Sequence, residues 1–422
     1  MERKRWNILL LHYSAPPIIG GVESVLGHHA RLMAAAGHTV RIAAARGERP
    51  DGVREFLRIP LVDSLHPDIL AAKRVLDSGR VPPEYSSLVE TLMDALRTAA
   101  RNADVLIAHN VCSLNKNLAL TDAIHRVYRE KGFPRLILWH HDLAWTTERY
   151  LPELHPGRPW DLLRNSWPGA IHVVISALRR REFSELSGLP PETIRIIPNG
   201  IPTESFLRLE KRTVRITRQL DLLHSFPLLL LPVRITPRKN LELALRTLSY
   251  LRASFPSAGL IVTGPIGAHN PNNRDYFRNL LALRSELGLD SEARFMAELE
   301  PDALSDPVIA DCYRLADALF LPSHEEGFGI PLLEAGLSHR PVFCADLPAL
   351  RELGGEFVTF FSPDEDPRAV AALIRGRLEK DPVFRFAVRV RSEFDWDRIY
   401  EGKIRPLLAD AVKEPAVRGS ES

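Results

Sequence analysis

The stretch Asp317-Ala318-Leu319-Phe320-Leu321-Pro322, continued by Ser323-His324-Glu325-Glu326-Gly327-Phe328-Gly329-Ile330-Pro331-Leu332-Leu333-Glu334-Ala335-Gly336, reads as a short apolar strand, a polar turn and the start of a helix. The strand is brief and apolar, as buried parallel strands are, and Pro331 suits a first helical turn, where its missing N–H is no loss. At such a turn the leading amides are unpaired and the helix dipole favours negative charge. A diphosphate can dock there, and Gly327 and Gly329 would let the backbone come close to it. Glu326 is expected to project from the loop and Glu334 from the helix. Carboxylates repel phosphates, so their expected task is to accept hydrogen bonds from sugar hydroxyls on either side of the phosphate. The combination reads as a nucleotide-sugar site.

Outward from this stretch, strands and helices alternate in two sets. The first has a strand at 6–12, a loop at 16–21, a helical run at 22–36 stopped by Gly37, and a strand at 39–45, which together make a βαβ unit. Further strands are expected at 105–109, 136–139, 172–175 and 194–197, giving one Rossmann-like domain. A charged passage at 204–225 reads as a linker. A second α/β domain is then expected from strands at 227–233, 260–263, 294–296, 319–321, 342–344 and 357–360. The predicted boundaries are 1–210 for the first, acceptor-side domain, 211–393 for the second, donor domain, 394–412 for a returning helix and 413–422 for a disordered tail. Open sheets of this kind bind ligands at the carboxyl ends of their strands.

Composition narrows the class. With 422 residues, 45% of them hydrophobic, and a net charge of +2, the chain has core enough for two domains and no bias toward nucleic acid. Cys112, Cys312 and Cys344 fit neither a disulfide framework nor a spaced metal site, and a reducing cytoplasm is the simple inference. The apolar run at 8–11 is far too short for a signal segment, and no later run reaches spanning length. Peripheral membrane contact and oligomeric state stay open.

The whole string from Ser323 to Gly336 resembles the E-x7-E signature of retaining glycosyltransferases of family 4, and the resemblance extends over nearly the whole chain. It implies the GT-B fold: two Rossmann-like α/β/α domains facing across a cleft, with a C-terminal helix crossing back to the first. Gly20 and Gly21 match the family's glycine loop, whose amides would meet the distal donor phosphate or the acceptor, although a plain tight turn would look the same. Arg234 and Lys239 match its paired basic residues, with Arg238 as the surface alternative; two fixed cations would stabilise charge on a leaving nucleoside diphosphate. In Trp139-His140-His141-Asp142 the match is His141, next to the donor sugar, and His140 is the one-residue-slip alternative. Ser176, Asn199 and Gly264 fall at family positions, and Phe328, Gly329, Ile330 and Glu334 complete the expected donor contacts.

For function, the resemblance implies an enzyme, a hexosyltransferase. It would take a hexose from a nucleotide diphosphate sugar of UDP-glucose or GDP-mannose type to a small-molecule, saccharide or lipid hydroxyl. Configuration would be retained by front-face attack, with no cofactor beyond the donor and no metal. Glu334 would take the ribose hydroxyls, Glu326 those of the transferred sugar and His141 that sugar's far side. A retaining glycoside phosphorylase on the same fold and a non-catalytic nucleotide-sugar-binding subunit are the alternatives. On the acceptor side, Trp139, Trp145, Trp160 and Trp167 with Tyr150 could be core, acceptor platform or membrane contact, and Arg179 to Arg181 could meet an anionic acceptor. The Trp-His-His-Asp stretch and the polar loop at 264–274 are similar to family members making mannosyl or glucosyl glycerate-type solutes. The basic strand here reads Pro-Val-Arg in place of the common Val-Gly-Arg, and the loop after Pro265 is longer than usual.

Overall fold

Parallel strands covered on both faces need side chains that are apolar on both sides, and Leu228–Leu231, four consecutive leucines all buried, shows the pattern in its plainest form. The computed structural model describes residues 4–267, 272–300 and 303–413. The expected tail from 414 onward and residues 268–271 of the polar loop lie outside the described residues.

The first unit holds seven parallel strands: β1 (Asn7–Leu11), β2 (Thr39–Ala44), β3 (Glu55–Arg58), β4 (Val105–His109), β5 (Arg135–His140), β6 (Ile171–Val174) and β7 (Arg195–Ile196), in the order β3-β2-β1-β4-β5-β6-β7. The second holds six: β8 (Leu228–Leu231), β9 (Gly259–Val262), β10 (Ala293–Phe295), β11 (Ala318–Leu321), β12 (Val342–Ala345) and β13 (Thr359–Phe361), in the order β10-β9-β8-β11-β12-β13. Helices between the strands cover the sheets, so the chain is a two-domain α/β protein of the GT-B type. In each sheet the strand order reverses beside the first strand, between β1 and β4 and between β8 and β11. Loops leaving the carboxyl ends of those pairs diverge there and open a crevice.

The structure differs from the sequence reading in four places. β3 was not anticipated, because Glu55-Phe56-Leu57-Arg58 is a half-exposed edge strand without an apolar run. The charged passage at 204–225 is not a bare linker but carries the helices Thr203–Phe206 and Lys211–Gln219, the second of which buries Ile216. Contacts divide the chain after Gly200 and again after Asp395, so residues 201–210 pack with the second unit and not, as expected, with the first. The reason is local bonding: Ile201 N donates to Phe394 O at 2.7 Å, Thr203 Oγ1 to Asp395 Oδ2 at 2.7 Å, and Glu210 N to Asp311 Oδ2 at 2.8 Å.

From Trp396 the chain belongs to the first unit again. It runs as a helix Trp396–Ile399, a π-helical turn Tyr400–Ile404 and a helix Arg405–Lys413, where a single amphipathic helix from 394 was expected. The buried positions Trp396, Tyr400, Ile404 and Leu408 fall every four residues. That spacing drifts around an α-helix of 3.6 residues per turn, and the wider turn restores the face. Trp396 stacks on His28 at 5.3 Å, meets His29 edge-on at 5.3 Å, and lies where Gly200 leaves room, since a Cβ there would sit 2.6 Å from its ring. Removing that ring, as in Trp396→Ala, is expected to cost about 3–5 kcal/mol, the usual range for emptying a buried aromatic site. Urea unfolding followed by a probe in the first unit measures it, and a change below about 1 kcal/mol would mean that the returning segment is not anchored by this residue.

Candidate functional site

In the second unit the strand-to-helix turn forms as the sequence suggested. After β11 the loop ends at Gly329, whose φ of +104° is left-handed and whose Cα lies against Leu350. A side chain there would be strained and crowded. The helix Ile330–Leu337 follows, with Pro331 in its first turn. Phe328 and Ile330 are exposed at its mouth.

Glu326 is nearly buried, and its Oε1 accepts from Lys239 Nζ at 2.6 Å and from Ser323 Oγ at 2.7 Å. Lys239 ends a short 3-10 turn, Pro237–Lys239, in the loop after β8, so the pair joins the two loops at the strand-order reversal. Asn240, left-handed at φ +52°, secures the same junction by donating from Nδ2 to the carbonyls of Pro322 at 3.1 Å and Pro363 at 2.9 Å. Arg234 is exposed and has no ion-pair partner among the described residues, while Arg238 contributes its carbonyl to His324 N at 2.9 Å. Glu334 lies one helix turn on and accepts from the Tyr313 hydroxyl at 2.6 Å. Burial, then this carboxylate, raises the Tyr313 pKa, so the phenol stays a donor. Gly264 is explained by packing: a Cβ would collide with the carbonyl of Val233, where the loop after β9 crosses the loop after β8.

In the first unit three histidines stand at the carboxyl ends of adjacent strands: His12 after β1, His109 ending β4 and His141 after β5. His141 is buried, with its Nε2 3.4 Å from His109 Nδ1. Burial first, then His12, lowers its pKa to about 4, so the ring is neutral at neutral pH. His109 is pushed down in the same way by burial and its histidine neighbours. His140 points elsewhere, its Nε2 3.1 Å from His172 Nδ1 and its ring stacked on Phe183. The slip alternative is therefore a core residue, and His141 is the one beside the other strand-end histidines.

Gly20 and Gly21 open the helix Gly21–Ala35, but that helix start already carries an anion. Glu23 folds back over Gly20, where a Cβ would collide with its carboxylate, and it accepts from Ser14 Oγ at 2.6 Å. His12, with Nε2 at 3.7 Å, is the first cause holding the Glu23 carboxyl down to about 2. Ser176 caps the helix Ala177–Ser187 by accepting from Arg179 N at 3.1 Å, and Asn199 is exposed at the end of the unit. Trp139, Trp160 and Trp167 are buried core, and Trp145 is half-buried under Arg164 at 4.2 Å. Arg179 is paired with Glu182 at 2.7 Å. The sequence reading missed Tyr313, Asn240 and Glu23, each of which acts through a partner on another element, and Ser323, whose bond to Glu326 depends on how their shared loop folds. It also missed Asn110, whose one local signal is an asparagine directly after an apolar strand, a common left-handed position.

Comparison with known proteins gives two family models that match consecutive parts of the chain, Glycosyltransferase Family 4 over residues 19–205 and Glycosyl transferases group 1 over residues 215–390. D-inositol 3-phosphate glycosyltransferase of Thermobispora bispora is 28% identical over 399 residues, covering 89% of this chain and 87% of that protein. Mannosylglucosylglycerate synthase of Petrotoga mobilis is 26% identical over 324 residues, covering 70% and 72%. Among solved structures, sucrose-phosphate synthase from Thermosynechococcus elongatus aligns over 96% of this chain and 100% of that one at 18% identity, with a TM-score of 0.38.

The buried rings set a pH dependence. An unfolded histidine titrates near 6.5 and His141 near 4, so unfolding takes up a proton between those values. The stability from its neutral ring is complete above about 6.5 and is lost as pH falls toward 4. Ring resonances of His141 followed by NMR should hold constant from pH 8 to about 5 and titrate near 4; a midpoint near 6.5 would show that the ring is solvated.

Proposed function

The chain belongs to the group 1, family 4 glycosyltransferases, and we propose that it moves a hexose from a nucleotide diphosphate sugar to a hydroxyl of a small anionic polyol, with retention of configuration and without a metal. The observation that carries this reading is the strand-to-helix turn of the second unit, where Lys239 and Ser323 hold Glu326 and Tyr313 holds Glu334. One carboxylate beyond each end of an anion-attracting helix start is suited to a ligand with hydroxyls on both sides of a diphosphate. Glu334 takes the ribose, Glu326 the transferred sugar and His141 the far side of that sugar.

Charge on the leaving diphosphate falls to Lys239 and Arg234. Lys239 spends one of its three protons on Glu326 and keeps two, and the exposed Arg234 brings a planar cation. One held cation, one exposed cation and a helix dipole supply what a divalent ion supplies elsewhere. The acceptor class is supported by the relatives, one named for inositol 3-phosphate and another for a glycerate glycoside. In front-face transfer the acceptor oxygen forms the new glycosidic bond as the sugar–phosphate bond breaks, and the departing phosphate oxygen takes the acceptor's proton. The protein then contributes position and electrostatics more than acid–base groups.

Nucleoside diphosphate release, measured across UDP-, GDP- and ADP-sugars with a chelator present, should occur with one donor class and rise when inositol phosphate, glycerate or glucosylglycerate is added. Under those conditions Glu326→Ala should lose transfer while remaining folded, and Lys239→Ala should slow it on the order of a hundredfold. No release with any donor, together with phosphate-dependent cleavage of a glycoside, would replace the reading with that of a phosphorylase.

A further inference from the structure

We propose that Asn110 is the positioning residue for His141. The proposal rests on the reading that His141 meets the transferred sugar. β4 ends at His109, and Asn110 N still donates to Trp139 O at 2.8 Å, the last main-chain rung toward β5. There the main chain turns left-handed, with φ +59° at Asn110, a conformation that costs most residues about 1 kcal/mol and that asparagine tolerates. The backbone leaves the ladder just where the neighbouring strand delivers His141 and Asp142.

The Asn110 side chain continues the ladder in its place. Its Oδ1 accepts from His141 N at 3.0 Å and from Asp142 N at 2.9 Å, and Ser113 Oγ reaches the same oxygen at 3.2 Å. Its Nδ2 donates to Asp142 Oδ2 at 3.2 Å. The two amide hydrogens converging on one atom fix it as the carbonyl oxygen, which settles the amide orientation. Asn110 is buried, so these bonds have no water to replace them. One side chain thus holds two consecutive amides after β5 and restrains the carboxylate next to the histidine. His141 has a second tether, His109 Nδ1 at 3.4 Å, but that contact touches only the ring tip and would follow the backbone wherever it went.

Three variants separate backbone geometry from the side chain. Asn110→Gly keeps the left-handed conformation and removes the acceptor. With the donor and acceptor that support release, its kcat should fall on the order of a hundredfold, the scale of a misplacement of about 1 Å, while the KM for the donor stays within about threefold of the parent, since donor groups on the second unit are untouched. Asn110→Asp alone would set a carboxylate oxygen 3.2 Å from Asp142 Oδ2, so it is paired with Asp142→Asn; the exchanged pair keeps the acceptor, the tolerance for left-handed φ and a donor–acceptor contact between the two side chains. It should keep the His141 ring shifts of the parent and lose less than about tenfold in kcat. Ser113→Ala removes only the third donor and should leave both unchanged. NMR of the His141 ring and of the amides of residues 141 and 142 gives a readout without turnover: both amides should lose their hydrogen-bonded shifts in Asn110→Gly and keep them in the exchanged pair. The proposal is overturned if Asn110→Gly retains parental kcat or parental His141 signals. It is also overturned if the exchanged pair Asn110→Asp with Asp142→Asn, folded and with its acceptor intact, loses them. A parent protein that releases no nucleoside diphosphate would defeat the reading of His141 as a sugar contact, and the NMR comparison would still decide whether Asn110 positions it.

Discussion

An ammonium and a carboxylate held 2.6 Å apart and almost out of water connect the two loops on which the second unit's site is built. Such a pair is costly, because desolvation of both charges offsets much of their attraction, and an apolar pair of the same size would often be as stable. Breaking it from one side is worse, since the remaining charge is left buried. The Lys239–Glu326 pair therefore obliges the loops after β8 and β11 to keep one geometry. Neighbouring bonds repeat the constraint: Asn240 ties in the loop after β13 through Pro363, and Arg238 O accepts from His324 N. What the arrangement gains for its desolvation is charge already oriented before a ligand arrives, which is the form of electrostatic stabilisation that needs no reorganisation during a reaction.

The first unit solves the corresponding problem with the opposite sign of design. At its strand ends stand His12, His109 and His141, and burial keeps the latter two neutral at neutral pH. At the glycine loop, Glu23 is already bonded by Ser14 and faced by His12, so that helix start carries an anion of its own. The two units thus differ in what stands at their strand ends, a buried ion pair in one and neutral imidazoles in the other.

Much of this was legible in the chain. The second-unit turn could be read because strand, glycines, carboxylates and Pro331 are contiguous and each has a local meaning. Strands with unbroken apolar runs, such as 228–231 and 318–321, were equally plain, whereas β3, half-exposed and polar, had no local signature. Roles that depend on a distant partner were hidden. The tryptophans after His141 could not be sorted into core or surface until Trp167 was seen against Tyr128, and Ser176 reads as a site residue in one dimension but as a helix cap in three. Residues 204–210 look like the start of a linker by composition, yet Asp311 at one end and the Thr203–Asp395 bond just before the other hold them to the second unit.

The two glutamates of the opening motif show why spacing alone is not a mechanism. Eight residues apart, they receive different partners: Glu326 an ammonium and a hydroxyl, Glu334 a phenol whose proton burial makes hard to remove. Yet the logic is shared. In Glu326 both bonds fall on Oε1, in Glu334 the bond falls on Oε2, and the other oxygen of each carboxylate has no hydrogen bond among the described residues. A carboxylate oriented through one oxygen keeps the lone pairs of the second for a ligand, and its direction is set before binding. A chance pair of glutamates on a helix start would have neither oxygen fixed and would pay rotamer entropy on contact. The anchoring residues, Lys239, Ser323 and Tyr313, are thus what turn two acidic side chains into a pair of aimed acceptors.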